Sequence, residues 1–335
     1  MNAHYVSDRY GLGRGFEAYD YVSEWAVEPD GRRSVVNRGP EITDRAIRWM
    51  RSVGDERFFL FLHYYDVHTD LDPAPRYRDA FTEEYPGAPT GRTDELLAAR
   101  RVQRALAPRD VSHLLGLYDA EIRTLDDQLG RLFDALDKAG RTGDTIVVLT
   151  SDHGEEWMEH GSLLHGRTYY QEVIAVPLIL AGPGVPVGAR IEEPVSLVDV
   201  TPTALALLGL CVPPGLDGHD LSPLLGGASG GGKRFLFAEA DHNNVVDGER
   251  VQDAGRLVRY GSWKLLYDRR TATSKLFDIA TDPGETHDLS GAEPERAAAL
   301  RERLSAFLDA EAVGGQLAPL ESEQRARLEA LGYGG

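Results

Sequence analysis

The chain has 335 residues, 42% of them hydrophobic, and a formal net charge of −18. That length allows one large domain, or one and a half, around a substantial core, and the acidic balance argues against nucleic acid or an anionic membrane surface as partner. A single cysteine, Cys211, leaves no internal disulfide framework and no thiolate metal cluster.

The opening stretch, MNAHYVSDRYGLGRGF, has neither the basic start nor the apolar middle of a signal peptide, and no compartment follows from it. No apolar run reaches bilayer-spanning length. Thr43 or Asp44 can cap a short helix carrying Ile47 and Met50. FFLFLHYYD then reads as a strand rich in aromatics, ending in the polar, proline-containing VHTDLDPAP. Residues 78–110 are charged and read as a surface excursion with some helix. Across residues 113–139, Leu114, Tyr118, Ile122, Leu125, Leu129, Leu132, Phe133 and Leu136 recur at helical spacing and predict a core-facing stripe ended by Gly140.

A buried strand over residues 146–149 follows and ends in Asp152 and His153. Gly154 turns the chain, His160 and His165 lie in the loop, and a second apolar strand covers residues 173–180. Thr201 caps and Pro202 opens a helix over residues 202–208, which Gly209 ends. CVPPGLDGHDLSPLL has no periodicity, and GGASGGG is a linker candidate. Short strands are predicted at residues 235–237, 256–260, 263–267 and 275–278, with a hairpin at Gly261. A last helix carries Leu300, Leu304, Phe307 and Leu308 on one side. The expected organisation is an α/β body over residues 1–228, a small α+β unit over 233–310 and a tail over 311–335.

Adjacent Asp and His at a strand end can present lone pairs to one cation, and open α/β sheets bind ligands outside the carboxyl ends of their strands. Asp152-His153 alone fits a turn cap equally well; His160 and His165 favour half of a metal site. Glu155 and Glu156 are expected to face solvent or hold the turn. Cys211 reads as a buried, unreactive thiol, His63 as a core or rim histidine, and His219 and His287 as loop residues. An acidic chain acting on an anionic ester must gather positive charge locally, from an ion and a few placed bases.

Taken in order, GLGRGFEAYDY, FFLFLHYYDVHTD, TIVVLTSDHGEE, LHGRTYYQE with VPLIL, VSLVDVTPTALALLG, GLDGHDLSPLL, GSWKLLY with KLFDIATDPGETHDL, and LEALGYGG resemble successive stretches of the sulfatases, within the alkaline-phosphatase-like hydrolases. The resemblance implies an α/β fold with a mixed or mostly parallel sheet flanked by helices, and a small C-terminal antiparallel sheet with one helix. It implies metal-dependent hydrolysis of a small anionic sulfate ester. Asp152 and His153 would be two ligands of one divalent ion, Ca2+ or Mg2+ on family grounds, with Mn2+ or Zn2+ suited to the imidazole. His68 would stand near the bridging oxygen and carry a proton. His165 aligns with a basic position that binds the oxyanion, Arg167 would add charge at the mouth, and His160 would lie at the rim.

The family's N-terminal strand with two adjacent aspartates has no counterpart here, nor does its C/S-x-P-x-R motif, whose Cys or Ser becomes the formylglycine nucleophile. Cys211 lies in LCVPPG without the arginine. The chain thus reads as the C-terminal portion of such an enzyme, with the N-terminal strand region missing, and is expected to be inactive in isolation. Two other readings stay open: a phosphodiester or phosphonate hydrolase of the same superfamily, and a non-catalytic truncated relative that binds at most a metal or an anion.

Overall fold

Two short antiparallel strands, β1 (Trp25–Val27) and β2 (Arg33–Val35), precede the first helix in the computed structural model, which describes residues 6–22, 25–27, 33–35, 38–102, 105–227, 234–246 and 249–311. The chain divides into two compact units, Met1–Asp144 and Thr145–Gly335.

In the first unit, α1 (Gly39–Val53) starts ahead of the predicted cap at Thr43 or Asp44. Pro40 occupies the first turn, where its missing N–H is no loss, and the Asp66 carboxylate accepts the Gly39 N–H at 3.0 Å. The cap therefore comes from a residue distant in sequence. Thr43 is buried, with its hydroxyl 3.0 Å from that of Tyr64. The predicted strand through FFLFLHYYD forms no ladder among the described residues, because β-forming side chains do not suffice without a pairing edge.

The excursion expected at residues 78–110 holds α3 (Thr93–Arg101), preceded by α2 (Pro75–Phe81). It is not wholly surface, since Leu96, Leu97 and Arg100 are buried. The long helix α4 (Pro108–Lys138) begins earlier than predicted, at another first-turn proline, and Gly140 follows it at φ 70°. Leu114, Leu117, Ala120 and Leu136 are buried along its stripe. Ile122 and Phe133 stay exposed because they sit roughly 80–100° around the helix from Leu114 at 100° per residue. Glu121 is buried in that face and accepts the Asp72 N–H at 2.6 Å.

In the second unit, β3 (Val147–Thr150), β4 (Glu156–Trp157), β5 (Leu163–Leu164), α5 (Gln171–Ile174) and β6 (Leu178–Ala181) carry the motif region. The strand expected over residues 173–180 is split, its first part being the single turn α5. Strand β6 pairs with β3 from Val147↔Ala181 to Thr150↔Leu178, antiparallel. Every ladder among the described residues is antiparallel, where a mixed or mostly parallel sheet is predicted; one turn of helix is too short a crossover to bring β6 back parallel to β3. The α/β class itself holds.

Helix α6 (Val200–Leu207) starts before Pro202, behind a reciprocal cap in which Ser196 and Asp199 bond each other's backbone. Asp199 is fully buried, accepts the His219 N–H at 2.8 Å and pairs with Arg234. Cys211 is exposed, against the buried position expected of it, because the aperiodic loop after α6 packs nothing over it. Helix α7 (Ser222–Leu225) follows. The linker candidate falls largely outside the described residues, as does the tail with LEALGYGG.

The C-terminal sheet is longer-stranded than predicted: β7 (Phe235–Val246), β8 (Glu249–Tyr260), β9 (Trp263–Asp268) and β10 (Thr273–Asp278), in the order β10-β9-β8-β7. Gly261, at φ 62°, allows the tight turn between β8 and β9. Helix α8 (Pro294–Glu311) covers one face with Leu300 and Leu304 against Val258, Leu265 and Leu276, and Phe307 stacks on Phe237. The predicted small α+β arrangement is present.

Candidate active site

In the first unit, the loop after residue 65 delivers His68. Val67 takes φ 78°, a strained value for a β-branched residue. The imidazole stacks on Tyr65 with centroids 4.4 Å apart, and Nδ1 donates to the Thr69 carbonyl at 2.7 Å. With a proton on Nδ1, the neutral ring keeps its lone pair on Nε2, which lies 3.5 Å from the Tyr65 hydroxyl. Beside it, burial pushes the Asp66 carboxyl up to about 6, against the pull of the Gly39 N–H. Asp70 is buried and accepts the Thr93 N–H at 2.5 Å.

In the second unit, Asp152 stands exposed past the end of β3. Its Oδ1 accepts the His153 N–H at 3.0 Å, which is the turn-cap bond, while Oδ2 lies 3.8 Å from His153 Nε2. Capping and presenting a lone pair therefore coexist in one side chain. His153 donates from Nδ1 to the Gly154 carbonyl at 2.9 Å, which leaves the lone pair on Nε2. A Cβ on Gly154 would meet the Glu172 carbonyl oxygen at 2.1 Å, so this close approach requires glycine.

The β4–β5 hairpin places the next imidazole. Its register pairs Glu156 with Leu164, and one further step sets Glu155 opposite His165. Glu155 Oε1 is 2.7 Å from His165 Nδ1, with side chains 4% and 10% exposed. Leu164, at φ 67°, turns the chain just before His165, as Val67 does before His68. The His165 ring stacks on His153 at a centroid separation of 3.8 Å. Asp152 thus stands beside His153, and His153 against His165.

Glu155 and Glu156 are buried and do not face solvent. Glu156 holds the hairpin loop by accepting from His160 N, Ser162 N and Thr168 Oγ1 at 3.1, 2.7 and 2.6 Å. His160 faces an acceptor from each nitrogen: Nδ1 is 2.6 Å from Glu172 Oε1, and Nε2 is 3.1 Å from the Gly284 carbonyl. Its ring lies flat on Tyr170. Glu156, His160 and Glu172 offer ligand atoms within 4.8 Å of one another, yet these bonds already join them into a network that holds the loop. Arg167 is different: its Nε is buried without a hydrogen-bond partner, and no ion pair to it exists among the described residues. His219 and His287 lie in loops, and His287 is largely exposed.

Two structural residues escaped the sequence. Lys264 is fully buried, with Nζ 2.7 Å from Glu285 Oε1 and 3.3 Å from Gln171 Oε1, and burial draws its ammonium down to about 8 against the pull of Glu285. Glu285 Oε2 accepts the Gln171 N–H at 2.6 Å and so fixes the start of α5. Only the hairpin register could have signalled the Glu155–His165 pair; nothing in the sequence marks Lys264 and Glu285 as partners.

A family model described as Sulfatase matches residues 39–210, a little over half of the chain. The chain belongs to the sulfatase family. Members of this family are sulfuric ester hydrolases and generally bind a divalent metal ion. A second model, N-sulphoglucosamine sulphohydrolase, C-terminal, matches residues 158–311 of the chain. Arylsulfatase K of Mus musculus is 27% identical over 96% of this chain and 64% of its own length. Choline-sulfatase of Rhizobium meliloti (strain 1021) is 33% identical over 57% of this chain and 36% of its own. The chain therefore spans less than two thirds of either relative. Among solved structures, the phosphonate monoester hydrolase of Silicibacter pomeroyi shares the fold at TM-score 0.65 and 22% identity, covering 94% of this chain and 70% of that one.

Proposed function

We propose that this sulfatase carries the metal-binding and histidine half of a sulfuric ester hydrolase site. The observation that supports it is the stacking of His153 on His165 beside Asp152, with both rings oriented by acceptors on Nδ1. Asp152 Oδ2 and His153 Nε2 form a fitting donor pair for one divalent ion. When bound, such an ion supplies positive charge at the sulfuryl oxygens. The carboxylate suits Ca2+ or Mg2+, and the imidazole adds suitability for Mn2+ or Zn2+.

Around that ion the chain's own residues divide the work. His165, oriented by the buried Glu155, binds an ester oxygen. Arg167 adds an uncommitted guanidinium where an acidic chain otherwise repels an anion. In the first unit, His68, with Nδ1 held by the Thr69 carbonyl, can take up and release a proton at Nε2, which suits it to proton transfer. His160, engaged on both nitrogens, holds the loop at the rim. The sequence offers no Cys or Ser in an x-P-x-R context to attack the ester, so no turnover is expected from this chain by itself.

Isothermal titration with Mn2+ and Ca2+ tests the reading. Asp152→Asn and His153→Ala should each weaken binding by about tenfold or more, and unchanged affinity in both refutes the metal site. Hydrolysis of 4-nitrophenyl sulfate that Asp152→Ala abolishes would overturn the expected inactivity. A phosphonate or phosphodiester substrate is the second reading, favoured by the phosphonate monoester hydrolase folds among the structural neighbours; phenylphosphonate outcompeting sulfate for the metal-loaded chain would support it.

A further inference from the structure

The turn that carries Asp152 and His153 rests on α5. Gly154 N–H donates to the Val173 carbonyl at 2.7 Å, and the Glu172 carbonyl packs so close to Gly154 that no Cβ fits there. Any shift of α5 therefore moves the backbone one residue from His153. Yet α5 is a single turn of helix, and so short a helix gains too little from its own bonds to hold its place. What fixes it must come from elsewhere in the chain.

The C-terminal sheet supplies that support. Glu285, in the turn after β10, accepts the Gln171 N–H through Oε2 at 2.6 Å, at the first residue of α5. Its Oε1 lies 2.7 Å from Nζ of Lys264 on β9, which also reaches Gln171 Oε1 at 3.3 Å. Lys275 on β10 donates to the Tyr170 hydroxyl at 3.0 Å, just ahead of the helix. Asp282 shapes the turn that presents Glu285, since its carboxylate accepts the His287 N–H at 2.8 Å and the Thr286 hydroxyl at 3.1 Å. The Lys264 and Glu285 side chains are both fully buried. Such a pair is a poor source of stability, because desolvation offsets most of its attraction. Its geometry instead serves the backbone: Lys264 holds one carboxylate oxygen and so aims the other at α5.

We propose that Glu285, aimed by Lys264, is a positioning residue for the Asp152–His153 turn and acts on it through α5. Its effect on a bound ion rests on the metal reading above; its effect on the turn does not. Two double variants test it. Lys264→Met/Glu285→Gln removes both charges and keeps an acceptor for the Gln171 N–H, whereas Lys264→Met/Glu285→Leu removes the acceptor as well. Amide exchange at Gly154 is followed by NMR without metal, with the Leu257 amide in the central strand β8 as reference, and Mn2+ affinity by calorimetry. In the Gln variant both readouts should stay within about twofold of the native chain. In the Leu variant Gly154 should exchange about tenfold faster relative to Leu257, and the Kd for Mn2+ should rise about threefold or more, as the loss of one hydrogen bond implies. Circular dichroism melts check that both variants fold. Should the Leu variant not fold, Gln171→Pro deletes the same N–H at a first-turn position that accepts proline, behind the extended Tyr170, and the same changes are expected of it. The proposal is overturned if Gly154 and Leu257 accelerate equally, or if Gly154 exchange is the same with and without the acceptor. Absence of Mn2+ binding in the native chain would refute the metal reading alone, and the exchange rates would still decide the positioning role.

Discussion

Glu155 Oε1 lies 2.7 Å from His165 Nδ1 across the β4–β5 hairpin, in a site where both side chains are almost wholly buried. The carboxylate sets which nitrogen carries the ring proton and which way the ring faces. Glu155→Gln should keep the shape and loosen that orientation. The expected cost is about 1.5–3 kcal/mol in urea unfolding, the range for a hydrogen bond to a charged group. Long-range 15N NMR should show His165 shifting from a single Nδ1–H tautomer to a mixture, and an unchanged spectrum would refute the positioning role.

Asp66 imposes a pH dependence. Its Oδ1 holds the Gly39 N–H at the start of α1, Oδ2 is buried with no hydrogen-bond partner among the described residues, and the carboxyl titrates at about 6. Between the usual 3.8 and about 6, the folded chain holds a proton that the unfolded chain has released. This contribution is complete below about pH 4 and is lost as pH rises through 6, amounting to about 3 kcal/mol. Unfolding free energies measured from pH 4 to 7 should decline more steeply in the native chain than in Asp66→Asn. Parallel curves would show that Asp66 is not the group responsible.

His160 ties the motif loop to the segment after β10 through Glu172 and the Gly284 carbonyl. His160→Ala should cost about 1–3 kcal/mol, because it removes a hydrogen bond to the part-buried Glu172 carboxylate. Cleavage by a glutamate-specific protease after Glu285 should accelerate, while cleavage in α8 should not. Equal acceleration at both places would mean general loosening.

Lys264 and Glu285 form a buried ion pair that positions Gln171. Lys264→Met leaves the carboxylate buried and uncompensated, at a cost of about 3–5 kcal/mol. Glu285 Oε2 also accepts the Gln171 N–H, so replacing the pair with two apolar residues leaves that amide without its acceptor and should recover only part of the loss. Full recovery in the double variant Lys264→Met/Glu285→Leu would contradict this.

Helical stripes and turn glycines were readable in the linear text because their signals are local. The Leu114 to Leu136 periodicity needs only the helical repeat, and Gly140 and Gly261 mark chain reversals wherever the chain goes. Strand boundaries were read less well. The stretch at residues 173–180 looks like one apolar run, and only its packing, with Gly154 N–H bonded to the Val173 carbonyl at 2.7 Å, bends its start into α5. The motif residues Asp152, His153, His165 and His68 could be named from order and resemblance, since their types are fixed by the chemistry they resemble.

The amino-acid order alone carried the family and the α/β class with its C-terminal antiparallel sheet. Tertiary structure alone decided which side chains meet. Glu155 was expected at the surface, and the hairpin register turned it onto His165; Asp66, remote from α1 in the chain, became that helix's cap. The reason is physical: residue type and periodicity are local properties. Hydrogen-bond partners and desolvation depend on what the folded chain brings from elsewhere.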